Sequence, residues 1–168
     1  MILFETERLI IRQLQEEDKP PLLRFHNDIG TMAYISSGKA DWTMEEFNHK
    51  LRLNGTLYPV GFGIYVIEQK ETSCIIGEAS VFNSFNDYKQ PEIGYIIARD
   101  YWNQRYGTEI VNGLINYCKD ILFARRIVAQ MYAGNTYSAR LCEKAGMQLY
   151  ETVELGEGKQ KLCFQLIS

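Results

Sequence analysis

The run from Asn135 to Met147, Asn-Thr-Tyr-Ser-Ala-Arg-Leu-Cys-Glu-Lys-Ala-Gly-Met, constrains the fold more than any other stretch of the chain. It joins a polar start, a short amphipathic helix and a glycine stop. An asparagine side chain accepts a backbone N–H of the first turn, and glycine takes the left-handed conformation that ends a helix. The segment therefore reads as a capped helix delivered to one fixed place.

Ahead of it lies Tyr101-Trp102-Asn103-Gln104-Arg105-Tyr106-Gly107-Thr108-Glu109, a polar turn that feeds a longer helix. There Ile110, Val111, Leu114, Ile115, Cys118, Ile121 and Leu122 recur with helical period, and polar residues fill the positions between them. Upstream, Glu92-Ile93-Gly94-Tyr95-Ile96-Ile97-Ala98 is short, apolar and β-branched, the pattern of a buried strand. The local order is strand, tight turn, helix. A helix opening in such a turn offers unpaired backbone N–H groups and the positive end of its dipole to an anion, so a phosphate or pyrophosphate is its natural guest.

Both segments resemble the GCN5-related N-acetyltransferase (GNAT) superfamily, in particular its ribosomal-protein-alanine N-acetyltransferase-like branch. The family's Gln/Arg-x-x-Gly-x-Gly/Ala turn, often Trp-Gly-x-Gly-Tyr-Ala-Thr-Glu in this branch, stands here as Trp102-Asn103-Gln104-Arg105-Tyr106-Gly107-Thr108-Glu109. Its second element, Asn-x-x-Ser-x-x-x-x-Glu-Lys-x-Gly-Phe/Met, is matched by Asn135, Ser138, Glu143, Lys144, Gly146 and Met147. The opening strand over residues 5–12, the acidic helix start Glu16-Glu17-Asp18, Asn27-Asp28 and Gly77-Glu78-Ala79 follow in the same order, so the resemblance covers nearly the whole chain. It departs where both glycines in the middle of the turn are replaced, by Asn103 and Arg105. A side chain at positive φ carries a steric penalty that asparagine tolerates best, whereas Arg105 adds a charge partner for a phosphate.

The resemblance implies an α+β fold, with a mixed, mostly antiparallel central sheet of about seven strands flanked by about four helices. One domain spans residues 1–168. Read from the residues, a helix over 16–27 has Pro20-Pro21 in its first turn, and Thr43 with Glu46 forms a capping box for a helix to about Leu53. Strands are expected over 61–68, 74–83, 92–98 and 126–132, and a terminal hairpin over 150–155 and 161–167 turns about Gly156-Glu157-Gly158.

The net charge of −3, with Lys and Arg scattered apart from Arg125-Arg126, argues against a nucleic-acid groove. No apolar run reaches the ~20 residues of a membrane helix. The start lacks the basic and apolar regions of a signal peptide, and Cys74, Cys118, Cys142 and Cys163 form no metal-ligand pair, so a cytoplasmic location with free thiols is expected. The strand over 126–132 and the terminal hairpin offer sheet edges for a homodimer.

The resemblance implies acetyl-CoA as co-substrate, no metal, and an amine acceptor, either a protein N-terminus or a small molecule. Tyr95, Ile96 and Ile97 would pair with the pantetheine arm, and Asn103, Gln104, Arg105, Tyr106, Gly107 and Thr108 would cradle the pyrophosphate. Asn135 and Ser138 would also meet the arm, and Lys144 would reach the adenosine 3′-phosphate. Acetyl transfer needs a base for the amine, and Glu92 stands at the family's frequent base position; its other reading is a solvated strand-end carboxylate. A backbone N–H near Ile96 or Ile97 would polarise the carbonyl. The tyrosine that many members use as an acid is Cys142 here, which leaves Ser138 as the proton donor or simply as a helix N-terminal residue. Catalytic candidates are thus Glu92, Ser138 and Asn135, and candidate acceptor walls include Asp28, Tyr34, Trp42 and Asn83. His26 and His49 read as core or surface histidines. Against an enzyme stands a catalytically weak CoA-binding or protein-interaction module that has kept the fold.

Overall fold

The structure is a computed structural model describing residues 1–35, 39–55 and 57–168. The strands are β1 (Ile2–Glu5), β2 (Leu9–Gln13), β3 (Gly63–Gln69), β4 (Ile75–Phe82), β5 (Glu92–Ile97), β6 (Arg126–Tyr132), β7 (Gln148–Gly156) and β8 (Lys159–Ile167). They join one sheet in the order β1-β2-β3-β4-β5-β6-β8-β7. Every neighbouring pair is antiparallel except β5 and β6. The helices are α1 (Lys19–His26), α2 (Ile29–Met32), α3 (Met44–Gly55), α4 (Tyr106–Asp120) and α5 (Thr136–Lys144).

The mixed, mostly antiparallel α+β architecture is the expected one, with one strand and one helix more than expected. Residues 5–12 are not one strand, because Thr6, Glu7 and Arg8 turn the chain: the Thr6 hydroxyl accepts from Leu9 N at 3.1 Å, and Thr6 N donates to Leu9 O at 2.9 Å. The extra helix follows Asn27, where the Asp28 carboxylate accepts from Thr31 N at 2.7 Å and caps α2. Residues 16–27 also split. A 3-10 turn over Glu16–Asp18 precedes α1, whose Pro20 and Pro21 fall in its first turn, where helical N–H groups have no intrahelical partner. The capping box of α3 forms, with Glu46 N donating to Thr43 Oγ1 at 3.2 Å and Thr43 N to Glu46 Oε2 at 2.8 Å.

Both faces of the sheet are covered, and the period-2 alternation of β3 sorts its side chains between them. Ile64 and Val66 pack with Leu22, Phe47 and Leu51 beneath α1 and α3. Tyr65 and Ile67 belong to the larger core with Ile110, Leu114 and Leu141 of α4 and α5. Each such aliphatic side chain contributes about 1.5–3 kcal/mol by leaving water. Arg12 ties β2 to its surroundings, with Nη1 at 2.7 Å from Asp18 and Nε at 2.6 Å from Glu68.

Candidate acetyl-transfer site

The site begins with a defect in the sheet. β5 and β6 run parallel but pair at a single register position among the described residues, Glu92 with Val128, beside the bond from Val128 N to Pro91 O at 2.9 Å. Beyond that point the strands part. Residues Tyr95 to Ile97 line one wall of the resulting cleft, and Gly134 to Ser138, at the start of α5, line the other. A strand with no neighbour on one side leaves backbone N–H and C=O groups to be satisfied by a guest that carries amides of its own.

One arm of the cleft runs to the start of α4. There Asn103 (φ 62°) and Arg105 (φ 66°) both adopt left-handed backbone, so the turn keeps a glycine-like path without its glycines. Holding L-residues there costs about 1 kcal/mol or more each, less for asparagine. The path is braced from outside. The Trp102 indole donates to Ile97 O at 2.7 Å, Arg8 Nη1 donates to Gln104 O at 3.1 Å, and Glu109 accepts from Arg8 N at 2.8 Å and Arg8 Nε at 2.9 Å. Gly107 is required for a different reason: a Cβ there would stand 2.7 Å from Leu141 Cδ1, so its absence lets α4 close onto α5. The first-turn N–H groups of α4, Arg105 and the unpaired edge of β5 together suit a phosphate-bearing chain with amides. Acetyl-CoA, which the sequence resemblance implies, is such a chain.

At the junction of the arms, Tyr95 Oη lies 3.0 Å from Ser138 Oγ. Ser138 N donates to Asn135 Oδ1 at 3.2 Å, so the cap that starts α5 also fixes this hydroxyl. Burial pushes the Tyr95 phenol up, against the hydrogen bond shared with Ser138, and the group stays protonated at neutral pH. Cys142, one turn further along α5, also reaches the cleft, and burial first, then Glu143, pushes its thiol up to about 12. A thiol so high is a poor nucleophile.

The second arm encloses ≈ 390 Å³ and is lined by Glu92, Ser80, Glu78, Lys50, Lys161 and Tyr34. Sequence reasoning missed most of this arm. His26 Nε2 is 2.9 Å from Glu78 Oε2, and Lys50 Nζ is 3.4 Å from Glu78 Oε1 and 3.5 Å from His26 Nε2. Burial alone would raise the Glu78 carboxyl, but the Lys50 charge and the His26 hydrogen bond outweigh it and hold it down at about 2. The alternation of β4 carried a signal, since Glu78 and Ser80 fall on one face; their partners on α1 and α3 left no trace in spacing.

The expected site residues divide. Glu92, Tyr95, Ile96, Ile97, Asn103, Arg105, Tyr106, Gly107, Asn135, Ser138 and Tyr34 line the cleft. The Tyr106 ring is turned into the core, where its hydroxyl takes a 2.6 Å hydrogen bond from Gln69, so only its backbone can serve a ligand. Gln104, Thr108 and Lys144 are exposed and outside the lining, Lys144 at the far end of α5 from the cleft. Asp28, Trp42 and Asn83, expected as acceptor walls, also stand outside it. The Asp28 carboxylate is spent on capping α2, Trp42 packs on His26 at 5.9 Å between ring centroids, and Asn83 follows the end of β4 with its Oδ1 buried. Among the described residues no cluster of His, Cys, Asp and Glu could hold a metal ion, and no helix is long and apolar enough to cross a membrane.

Known proteins agree with this geometry. A family model described as an acetyltransferase (GNAT) domain matches residues 8–148. YoaA of Bacillus subtilis (strain 168), described as an uncharacterized N-acetyltransferase, is 28% identical over 148 residues, which cover 87% of this chain and 82% of YoaA. Among solved structures, RimL, ribosomal L7/L12 alpha-N-protein acetyltransferase in complex with coenzyme A, superposes with a TM-score of 0.83 at 17% identity over 99% of this chain and 98% of its own. Spermidine N-acetyltransferase from Vibrio cholerae, in complex with CoA and spermine, gives 0.80 at 16% identity over 95% of both chains. The chain belongs to the GNAT acetyltransferase family, as an N-acetyltransferase.

Proposed function

We propose that the protein moves the acetyl group of acetyl-CoA to a primary amine, on a protein N-terminus or a small molecule, by direct attack in a ternary complex. The observation that supports this reading is one cleft with a carboxylate, Glu92, on its acceptor side and a hydrogen-bonded hydroxyl pair, Ser138 and Tyr95, at the junction with its other arm. RimL and the spermidine enzyme, by their descriptions, act on amines of these two kinds.

Bound acetyl-CoA supplies a thioester with an electrophilic carbonyl. The edge of β5 and the start of α5 hold its amide-bearing arm, and the first turn of α4 with Arg105 holds its phosphates. Glu92 takes the proton of the acceptor ammonium, directly or through an ordered water, so that a neutral amine attacks. A backbone N–H near Ile96 or Ile97 steadies the carbonyl oxygen as charge grows there. Ser138 gives its proton to the departing sulfur and is resupplied by Tyr95. A thiolate of pKa about 8.5 needs only such modest help. Cys142, protonated and without a base beside it, takes no covalent part. The unpaired cysteines suit a reducing cytoplasm, and the exposed edge strand β7 offers a surface for a homodimer.

Release of free thiol from acetyl-CoA in the presence of a panel of amines tests the reading. Turnover with some amine is expected, and its loss in Glu92→Gln and Ser138→Ala at unchanged acetyl-CoA affinity. Tight binding without turnover on any amine would favour a catalytically weak CoA-binding module instead.

A further inference from the structure

We infer that the acceptor carries a carboxylate on the same molecule as its amine, as an amino acid or short peptide does, and that Lys50 selects it. This deepens the proposed amine acetylation and rests on it. The register of β4 with β5 sets Glu78 opposite Ile96, Ser80 opposite Gly94 and Phe82 opposite Glu92. Side chains two residues apart share a face, so Glu78, Ser80 and Glu92 project together toward α1 and α3. Along the acceptor arm the order is an ion pair, a hydroxyl and a carboxylate, in steps of about 7 Å.

Two donors in this row are underused. The Lys50 ammonium has three N–H bonds, and its contacts to Glu78 at 3.4 Å and His26 at 3.5 Å are long, while Glu78 makes its short bond, 2.9 Å, with His26. The carboxylate thus anchors Lys50 without saturating it, and the lysine side chain keeps 27% of its surface open. Ser80 is 8% exposed and lines the arm, and its hydroxyl has no hydrogen-bond partner among the described residues. Its hydroxyl faces the cleft and can donate to an acceptor that a guest brings.

The charges decide which guest. Glu78 is neutralised by Lys50, Lys161 brings a second ammonium to the lining, and Glu92 has no ion-pair partner among the described residues. A polyamine would find one available carboxylate and two ammonium groups. An amine with its own carboxylate finds Glu92 at one end and Lys50 with Ser80 at the other, which is complementary at both. Phe82 and Met131 supply apolar wall for the remainder of the molecule.

Thiol release is measured with amino acids and dipeptides, each paired with its C-terminal amide, and with a linear polyamine. The free acids are expected to exceed their amides by about tenfold in kcat/KM, chiefly through KM. Lys50→Gln should collapse that acid-to-amide ratio toward one and Lys50→Arg should restore it, a rescue that a merely structural role of Lys50 would not tie to the acceptor's carboxylate. Amides or the polyamine turned over as well as the free acids, or an equal loss for both in Lys50→Gln, would overturn the inference and leave amine acetylation standing. Absence of thiol release with every amine would overturn both.

Discussion

The two arms of the cleft are built from different material. The cofactor arm is largely backbone: the open edge of β5, the first turn of α4 and a turn held at positive φ by braces outside it. The acceptor arm is side chains gathered from α1, α3, β4 and β5, namely His26, Lys50, Glu78, Ser80 and Glu92. Backbone groups do their work whichever side chain they carry, so the turn keeps its path with Asn103 and Arg105 in place of glycines. A side-chain arm changes character with one substitution. One arm can therefore keep its ligand while the other is rebuilt for a new one.

The sharpest way to separate the arms is Glu92→Gln, which should lower kcat by about 10²–10⁴-fold through loss of the base. Acetyl-CoA affinity should move by less than about twofold, because Glu92 lies on the acceptor side; a parallel loss of affinity would mean that the arms are not separate. A smaller effect, about 10–100-fold in kcat, is expected for Ser138→Ala, since the leaving thiolate needs little assistance. If Ser138 and Tyr95 act as one relay, adding Tyr95→Phe to Ser138→Ala should cost almost nothing further, and additive losses in that cycle would break the pair into independent groups.

Gly107→Ala probes the cofactor arm alone. Its Cβ would meet Leu141 at 2.7 Å, so the cost is about 1–3 kcal/mol of stability with weakened acetyl-CoA binding, read by thermal melts and calorimetry. The smallest effect at neutral pH belongs to the acceptor arm. Glu78 is held at about 2, below the ordinary value of 4.5, so the stability it contributes is complete above about pH 4.5 and is lost as pH falls toward 2. Melting temperature should decline through that window, and a Glu78→Gln variant should show a flatter profile there.

The same contrast explains what could be read in the sequence. The cofactor arm uses contiguous segments, so Asn135 as a cap, Gly107 near a helix start and the strand from Glu92 were visible as local patterns with local physical causes. The extra strand was hidden because Thr6 makes its turn with help from Glu109, a partner on α4 that no window around Thr6 contains. The cap that Asp28 makes was hidden because an exposed loop carboxylate and a helix cap look alike until Thr31 is seen to donate to it. The ion pair of Glu78 and Lys50 joins residues far apart in the chain, and only the packing of α1 and α3 on the sheet brings His26 to them.

Calorimetric titration with acetyl-CoA of the unsubstituted protein and of Glu92→Gln, with thiol release followed in the same samples, tests most directly whether the two arms are separable parts of one acetyl-transfer cleft. Micromolar binding equal in both proteins to within about twofold is expected, with turnover only in the unsubstituted one. Absence of binding in both would contradict the assignment of the backbone-built arm to the cofactor, and binding lost only in Glu92→Gln would contradict the separation.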